Sequence, residues 1–181
     1  MTETLIEDAT IRLRALCSDD AGAHLAGCDR VIIDRLGGGT QSTRDEVSLW
    51  LRQNAQAWVN GGVVFDLGIE DRQSGLLAGC VGVQRGLDYL SAGQVNLTYA
   101  LYPQWRGHGL ATKAVRLAME IGRRRGPVSE FVIRVATDNP ESSRVAARAG
   151  FRVARTTDDD HGHLLWHVAP ASTEDTPRSS L

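Results

Sequence analysis

Apolar and polar residues alternate near the start of the chain, where Ile11 and Leu13 interleave with Arg12 and Arg14 in "ATIRLRAL". That is the two-residue period of a half-buried strand. The following "SDDAGAHLAGCD" offers Ser18 as a cap and acids in a first turn, and predicts a short helix. Residues 37–42, "GGGTQS", predict a loop. Thr43 and Glu46 then stand three apart ahead of Val47, Leu49, Trp50 and Leu51. This spacing is a capping box, opening a helix that runs to the break at Asn60-Gly61-Gly62. "VVFDLGIED" and "LLAGCVGVQRG", joined by the turn-like "DRQSG", predict an antiparallel hairpin. A third strand is predicted in "GQVNLTYALYP", with Val95, Leu97, Tyr99 and Leu101 on one face and Asn96, Thr98, Ala100 and Tyr102 on the other. Neither face carries charge, as in a central strand, and Pro103 ends it.

From His108 to Arg125 the period becomes helical: Leu110, Ala111, Ala114, Val115, Ala118, Met119 and Gly122 recur at three and four. "FVIRVAT" predicts a short buried strand. In "DNPESSRVAARAGF", Asn139 caps a helix with Pro140 at its first position and Gly150 as terminator. "FRVART" and "HLLWHVA" predict a last hairpin around the polar loop Thr157–Gly162, and "PASTEDTPRSSL" a loose tail with little to bury. The chain of 181 residues is thus expected to hold one domain over residues 1–169 and a tail over 170–181, without internal repeats.

Composition narrows the partners. A net charge of -2 gives no general attraction to nucleic acid or an anionic membrane, and no apolar run approaches the roughly 18 residues of a membrane span. Three cysteines, Cys17, Cys28 and Cys80, at wide spacing suggest neither a disulfide framework nor a metal knuckle, and reduced cytoplasm is the expected compartment. Asp158, Asp159, Asp160, His161, His163 and His167 are potential metal ligands, but their spacing fits no defined site. A solvated hairpin end is the simpler reading, with recognition of a cationic amine as a further hypothesis for the acid run.

The candidate chemistry lies in "QWRGHGLATKAV". Gly107 and Gly109 precede a helix whose first amides, through Leu110, Ala111 and Thr112, have no partner within it. Such a turn is either a tight strand-to-helix connection or a place where a diphosphate meets the backbone, with Arg106 or His108 adding charge at the rim. A P-loop is excluded because Lys113 is four beyond Gly109 and is followed by Ala114. A dinucleotide fingerprint is disfavoured: its third position holds Thr112, and the next strand-end acid is Asp138, 31 residues after Gly107. Coenzyme A is the remaining diphosphate ligand.

"QWRGHGLA" resembles the Q/R-x-x-G-x-G/A signature of the GNAT superfamily of acetyl-CoA-dependent N-acetyltransferases, with Gln104, Gly107 and Gly109 at its defined positions. "YALYP", "NPESSRVAARAGF" and "TIRLRAL" resemble, in order, further segments of the branch that acetylates ribosomal-protein amino termini, so the likeness spans residues 9–168. The resemblance implies an α/β (α+β) fold: a mixed, mainly antiparallel sheet with splayed central strands and helices on both faces. It implies acetyl-CoA as cosubstrate without a metal, and a peptide or small-molecule amine as acceptor, in a monomer or homodimer. Tyr99, Ala100 and Leu101 would meet the pantetheine arm through their backbone, one amide serving as oxyanion donor. Gln104 and Arg106 through Thr112 would hold the diphosphate, Asn139 would contact the pantetheine, and Ser142 would stabilise the departing thiolate. The chain departs from the family twice. Ala146 stands where many relatives carry a tyrosine acid, and Asn96 where the branch often has a glutamate base; an amide takes no proton near neutral pH. Asn96 is thereby left to orient a water or the amine, or to serve as a buried polar group. A catalytically degenerate acyl-CoA-binding or regulatory module is the alternative reading.

Overall fold

The computed structural model describes residues 4–159 and 162–171. The described residues form strands β1 (Thr4–Glu7), β2 (Ile11–Ala15), β3 (Val64–Asp71), β4 (Leu77–Gln84), β5 (Gln94–Leu101), β6 (Glu130–Ala136), β7 (Arg152–Asp159) and β8 (Gly162–Pro170). Helices are α1 (Ala21–Gly27), α2 (Arg30–Leu36), α3 (Arg44–Val59), α4 (Leu110–Arg124) and α5 (Pro140–Arg148). One mixed sheet takes the order β1-β2-β3-β4-β5-β6-β8-β7, and β5–β6 is its single parallel pair.

The two-residue period sorts the strands as predicted. Ile11, Leu13, Phe65, Leu67, Ile69, Val81, Val83, Val95 and Leu97 are buried in one cluster, and α4 covers it with the whole predicted stripe. Each fully buried Leu, Ile or Val contributes roughly 1.5–3 kcal/mol. The small residues of the stripe bring α4 close to the sheet: a Cβ on Gly122 would stand 2.8 Å from Phe131 Cε1. On the opposite face, α1 and α3 bury Ala21, Val47 and Leu51 against Leu16, Leu77 and Tyr102. Gly27 of α1 rests directly on the Tyr102 ring, which any side chain there would penetrate. Helices therefore cover both faces. The capping box of α3 forms as its spacing predicts, with Thr43 N donating to Glu46 Oε2 (2.7 Å) and Glu46 N to Thr43 Oγ1 (3.3 Å).

Several features differ from the pattern reading. Strand β1 and helix α2 are additional; Asp29 caps α2 by accepting from Ile32 N (3.0 Å). Ser18 is not the cap of α1 but lies inside a 3-10 turn, Ser18–Asp20, whose N-cap is Cys17. Asp20 is buried there because Arg14 reaches it with two hydrogen bonds (2.7 and 2.8 Å) while donating to Glu70 (2.5 Å). The last hairpin is longer than predicted: Thr157, Asp158 and Asp159 pair with Leu164, His163 and Gly162, so residues 157–159 are strand. Its remaining loop residues, 160 and 161, lie outside the described residues. At the other end of the hairpin β8 includes Pro170, and Arg123 Nε donates to the Ala171 carbonyl (2.5 Å). The expected tail lies outside the described residues from position 172 onward.

Two irregularities of the sheet position the site. Strand β2 ends with Ala15 opposite Leu67, so Asp66 in β3, paired with Gly82 of β4 on one side, has no strand beside it on the other. Asn54 of α3 completes that edge: Asp66 N donates to Asn54 Oδ1 and Asn54 Nδ2 donates to the Asp66 carbonyl, both at 2.6 Å. The second irregularity is central. Strands β5 and β6 pair only at Gln94↔Glu130, Val95↔Phe131 and Asn96↔Val132, then part. Beyond that point β5 stays with β4 as far as Gly79↔Leu101, and β6 stays with β8 as far as Ala136↔Leu164. Replacing buried Asn54 by alanine orphans both backbone groups of Asp66, and is expected to cost about 2–3 kcal/mol in a chemical-denaturation midpoint measurement. A loss below about 0.5 kcal/mol would mean that water replaces the amide without penalty.

Candidate functional site

The parting of β5 and β6 leaves a backbone edge open. Tyr102 N donates to the Ala78 carbonyl (2.9 Å), so the alternation of an antiparallel ladder turns the amides of Leu101 and Tyr99, beyond the last β5–β6 pair, away from β4 and toward the gap. Arg106 Nε satisfies the Leu101 carbonyl (2.9 Å). Across the gap lies the start of α5. Asn139 caps it through a hydrogen bond from Ser142 N to Asn139 Oδ1 (3.1 Å), as the sequence predicts for a cap. The Tyr99 hydroxyl bridges from β5 to this helix, 2.9 Å from the Ser142 carbonyl to which it donates and 2.7 Å from Ser142 Oγ. Burial pushes the Tyr99 phenol up to about 12, with the Ser142 hydrogen bond pulling the other way.

At the mouth of the same gap, Gly107 and Gly109 have φ of +81° and +77°. This left-handed backbone favours glycine. No protein atom stands within 4 Å of a Cβ at either position. Gly109 is the N-cap of α4, so no side chain caps this helix. The first amides of α4 and the positive end of its dipole consequently face open space, an arrangement complementary to a phosphate. Leu110 and Ala111 bury their side chains in the core, leaving their backbone for this role. Gln104 and His108 are exposed and Thr112 is half-buried. The Arg106 guanidinium is engaged by Asp29, at 2.7 and 2.9 Å, in a two-pronged ion pair that ties the turn to α2 and holds the Asp29 carboxyl below its ordinary range.

On the face covered by α1 and α3 lies a cavity of about 330 Å³. Its floor is the sheet, where Asp66, Gly82 and Thr98 form one cross-strand row. Asp66 and Thr98 lean over Gly82 from either side; a Cβ on Gly82 would run into Thr98 Oγ1 and stand 2.5 Å from Asp66 Oδ1. Burial raises the Asp66 carboxyl above its ordinary range, opposed by a hydrogen bond from Trp50. His24 of α1 forms another wall, its Nδ1 3.0 Å from the Tyr102 hydroxyl and its ring 4.9 Å from that of Trp50; burial lowers its pKa. Ile32, Ile33 and Leu36 of α2 also line the cavity.

Ser142, Asn139, Tyr99 and the glycine turn thus surround one opening. Asn96 is 3% exposed and donates to Gln84 Oε1 (2.7 Å), while its Oδ1 has no partner. Ala146 is fully buried in the core under α4, where a tyrosine side chain would not fit without repacking. Asp158 and His163, 3.4 Å apart and well exposed, are away from the residues that line the cavity; Asp160 lies outside the described residues. Among the described residues, no group of three His, Cys, Asp or Glu side chains is placed to hold a metal, and no helix is long and apolar enough to cross a membrane. Sequence reasoning missed the Tyr99 hydroxyl, α2 and Asp66. Asp29, with Val31-Ile32-Ile33 two residues on and then Gly37, was a usable signal for α2, whereas a single acid between Phe65 and Leu67 reads as the outer face of a strand.

Comparison with known proteins agrees with this geometry. A family model described as the acetyltransferase (GNAT) domain matches residues 10–152. No curated protein sequence matches significantly. Among solved structures, RimL, the ribosomal L7/L12 alpha-N-protein acetyltransferase in complex with coenzyme A, superposes with a TM-score of 0.78 at 17% identity, covering 93% of this chain and 98% of its own. A GNAT-family acetyltransferase from Bacillus anthracis gives 0.77 at 13% identity over 94% and 99% of the two chains. AAC(6')-Ib in complex with paromomycin and acetyl-CoA gives 0.72 at 19% identity over 89% and 93%. With the family model spanning most of its length and the fold shared throughout, the chain belongs to the GNAT acetyltransferase family.

Proposed function

We propose that the chain transfers the acetyl group of acetyl-CoA to a primary amine, on a peptide terminus or a small molecule, by direct attack within residues 1–169. The observation that carries this reading is the open β5 edge lying beside the uncapped start of α4. The edge offers amides to a pantetheine arm and the helix start offers amides to a diphosphate, so one extended thiol carrier meets both. The RimL and AAC(6')-Ib structures hold coenzyme A and acetyl-CoA, which supports the same donor here.

Gly107, His108, Gly109, Leu110, Ala111 and Thr112 bind the diphosphate through their backbone, with Gln104 at the edge of the turn. Arg106 acts as a clamp that keeps this turn against α2. Tyr99, Ala100 and Leu101 present the strand edge, and an amide facing the gap donates to the thioester oxygen as negative charge develops there. The ammonium first gives one proton to solvent water; the neutral nitrogen then adds to the carbonyl carbon, the C–N bond forms, the C–S bond breaks as the tetrahedral intermediate collapses, and the second N–H proton also leaves to water. Ser142 donates its hydroxyl hydrogen to the departing thiolate, the Tyr99 hydroxyl, whose hydrogen is held by the Ser142 carbonyl, orients it, and Asn139 fixes the turn that carries Ser142. A phenol held near pH 12 is a weaker acid than a thiol of ordinary pKa about 8.5, so the pair stabilises the thiolate and the proton comes from solvent. Asn96 orients the amine or a water and takes no proton. The degenerate-module alternative rests on Asn96 and Ala146; tight acetyl-CoA binding without thiol release from a broad amine panel would favour it.

A thiol-release assay with acetyl-CoA against N-terminal peptides, polyamines and arylalkylamines is expected to show turnover with at least one class. Tyr99→Phe and Ser142→Ala are each expected to lower kcat about tenfold, and the double variant no further than the weaker single one, because the two hydroxyls act as a unit. Additive losses would separate their roles. The Tyr99 phenol remains protonated up to about pH 12, so kcat is expected not to fall between about pH 8 and 10; a descending limb near pH 9 would overturn its assignment. Valine at both Gly107 and Gly109 forces side chains into left-handed backbone, at about 1–2 kcal/mol each, and fills the space left for the diphosphate. Coenzyme A affinity measured by calorimetry is expected to fall more than tenfold, and unchanged affinity would remove the turn from the site.

A further inference from the structure

The cavity on the α1–α3 face holds a carboxylate that the transfer reading above does not use. Asp66 stands in β3 between two core residues, Phe65 and Leu67, with its backbone locked by Asn54 and its side chain directed over Gly82. No basic side chain among the described residues forms an ion pair with it. Gly82 is what opens the place beside it. Both Asp66 Oδ1 and Thr98 Oγ1 lie within 2.5 Å of the point where a Cβ would stand, so they are no more than about 5 Å apart, a gap that one ammonium spans at about 2.9 Å to each oxygen. Thr98 also precedes Tyr99, whose amide faces the β5–β6 gap, so a nitrogen held in this row stands beside the strand that carries the acyl group.

The rest of the cavity differs in character. Ile32, Ile33 and Leu36 of α2 line it, although α2 has no buried residue of its own, and Leu25, Val47 and Trp50 complete an apolar wall. Thr40, Gln41 and Ser42 at the mouth are neutral. The other lining carboxylate, Glu46, is exposed at the rim, where its Oε2 accepts from the Thr43 amide and hydroxyl at 2.7 and 2.9 Å. A second ammonium deeper than the Glu46 rim would face aliphatic side chains without a counter-charge, which is costly. The volume of about 330 Å³ is at the small end of ligand sites and admits one ring or one amino-acid side chain rather than several sugar rings.

We infer that Asp66, with Thr98, anchors the single ammonium of an acceptor whose remaining body is compact and apolar, and that the cavity selects such monoamines over polyamines and aminoglycosides. This rests on the acetyl-transfer reading of the same site. Two sources share the chemistry: a small arylalkylamine, or a peptide α-amino group on an apolar first residue whose chain leaves past Thr40–Ser42.

Calorimetric titration of the protein saturated with coenzyme A tests it, using 2-phenylethylamine, a Val-initiated tripeptide, spermidine and an aminoglycoside as probes. One of the two monoamines is expected to bind at least tenfold more tightly than spermidine or the aminoglycoside, and the tighter of the pair identifies the source. The isosteric Asp66→Asn is expected to weaken that binding at least tenfold and Thr98→Val about threefold, while coenzyme A affinity stays unchanged as a control for folding. Absence of monoamine binding, tighter binding of spermidine, or an unaltered affinity in Asp66→Asn would overturn the inference. Thiol release measured on the same samples reports separately on acetyl transfer: monoamine binding without release counts against transfer and leaves the amine site standing, whereas release indifferent to Asp66→Asn does the reverse.

Discussion

The separation of β5 from β6 after three residue pairs is the constraint on which the rest of the site depends. Parallel strands ordinarily continue until a loop ends them, because each unpaired amide and carbonyl must otherwise find another partner. Here each strand is held by its outer neighbour, β5 by β4 and β6 by β8, and the two halves of the sheet diverge. The orphaned groups are handled differently along the gap. Arg106 takes the Leu101 carbonyl, the Tyr99 side chain reaches across to Ser142, and the amides between them are left for a ligand. A fully zipped sheet would be the better-satisfied structure and would have no groove.

Helix α2 spans this opening. Asp29 at its start is tied to Arg106 beside the glycine turn, and Arg35 near its end pairs with Asp138 (2.5 Å) just before the Asn139 cap. The two anchors thus lie on opposite sides of the gap, one on the β5 arm and one on the β6 arm. Both pairs are partly solvent-exposed, where such interactions contribute on the order of 1 kcal/mol or less. With apolar residues facing a cavity instead of a core, α2 is held in place mainly by its ends, in contrast to α4, which is buried along a full stripe. The donor-facing turn and the acceptor-facing wall share this one short helix.

Elements carried by local rules were legible from the chain. The Thr43–Glu46 capping box, the α4 stripe, the Asn139–Pro140 start of α5 and the alternation in β3, β4 and β5 all involve residues within a few positions of each other, where period and cap chemistry decide the outcome. The last hairpin was misjudged in length because Thr157–Asp159 are polar, and polarity suggested a loop; pairing with Leu164, His163 and Gly162 makes them strand. Buried Arg14 and Asp20 read as surface charges until the fold brings them together with Glu70.

The sequence by itself determined the strand and helix periods, the glycines that a left-handed turn requires before α4, and, through motif likeness, the family and its donor substrate. Tertiary structure decided what those pieces face. Tyr99 entered as a backbone contact and acquired a hydroxyl partner only when α5 was placed across the gap. Asp66 acquired its place over Gly82 and beside Thr98 from strand register. The reason is physical: hydrogen-bonding period is a property of neighbouring residues, whereas the environment of a side chain is set by groups that only folding brings within a few ångströms.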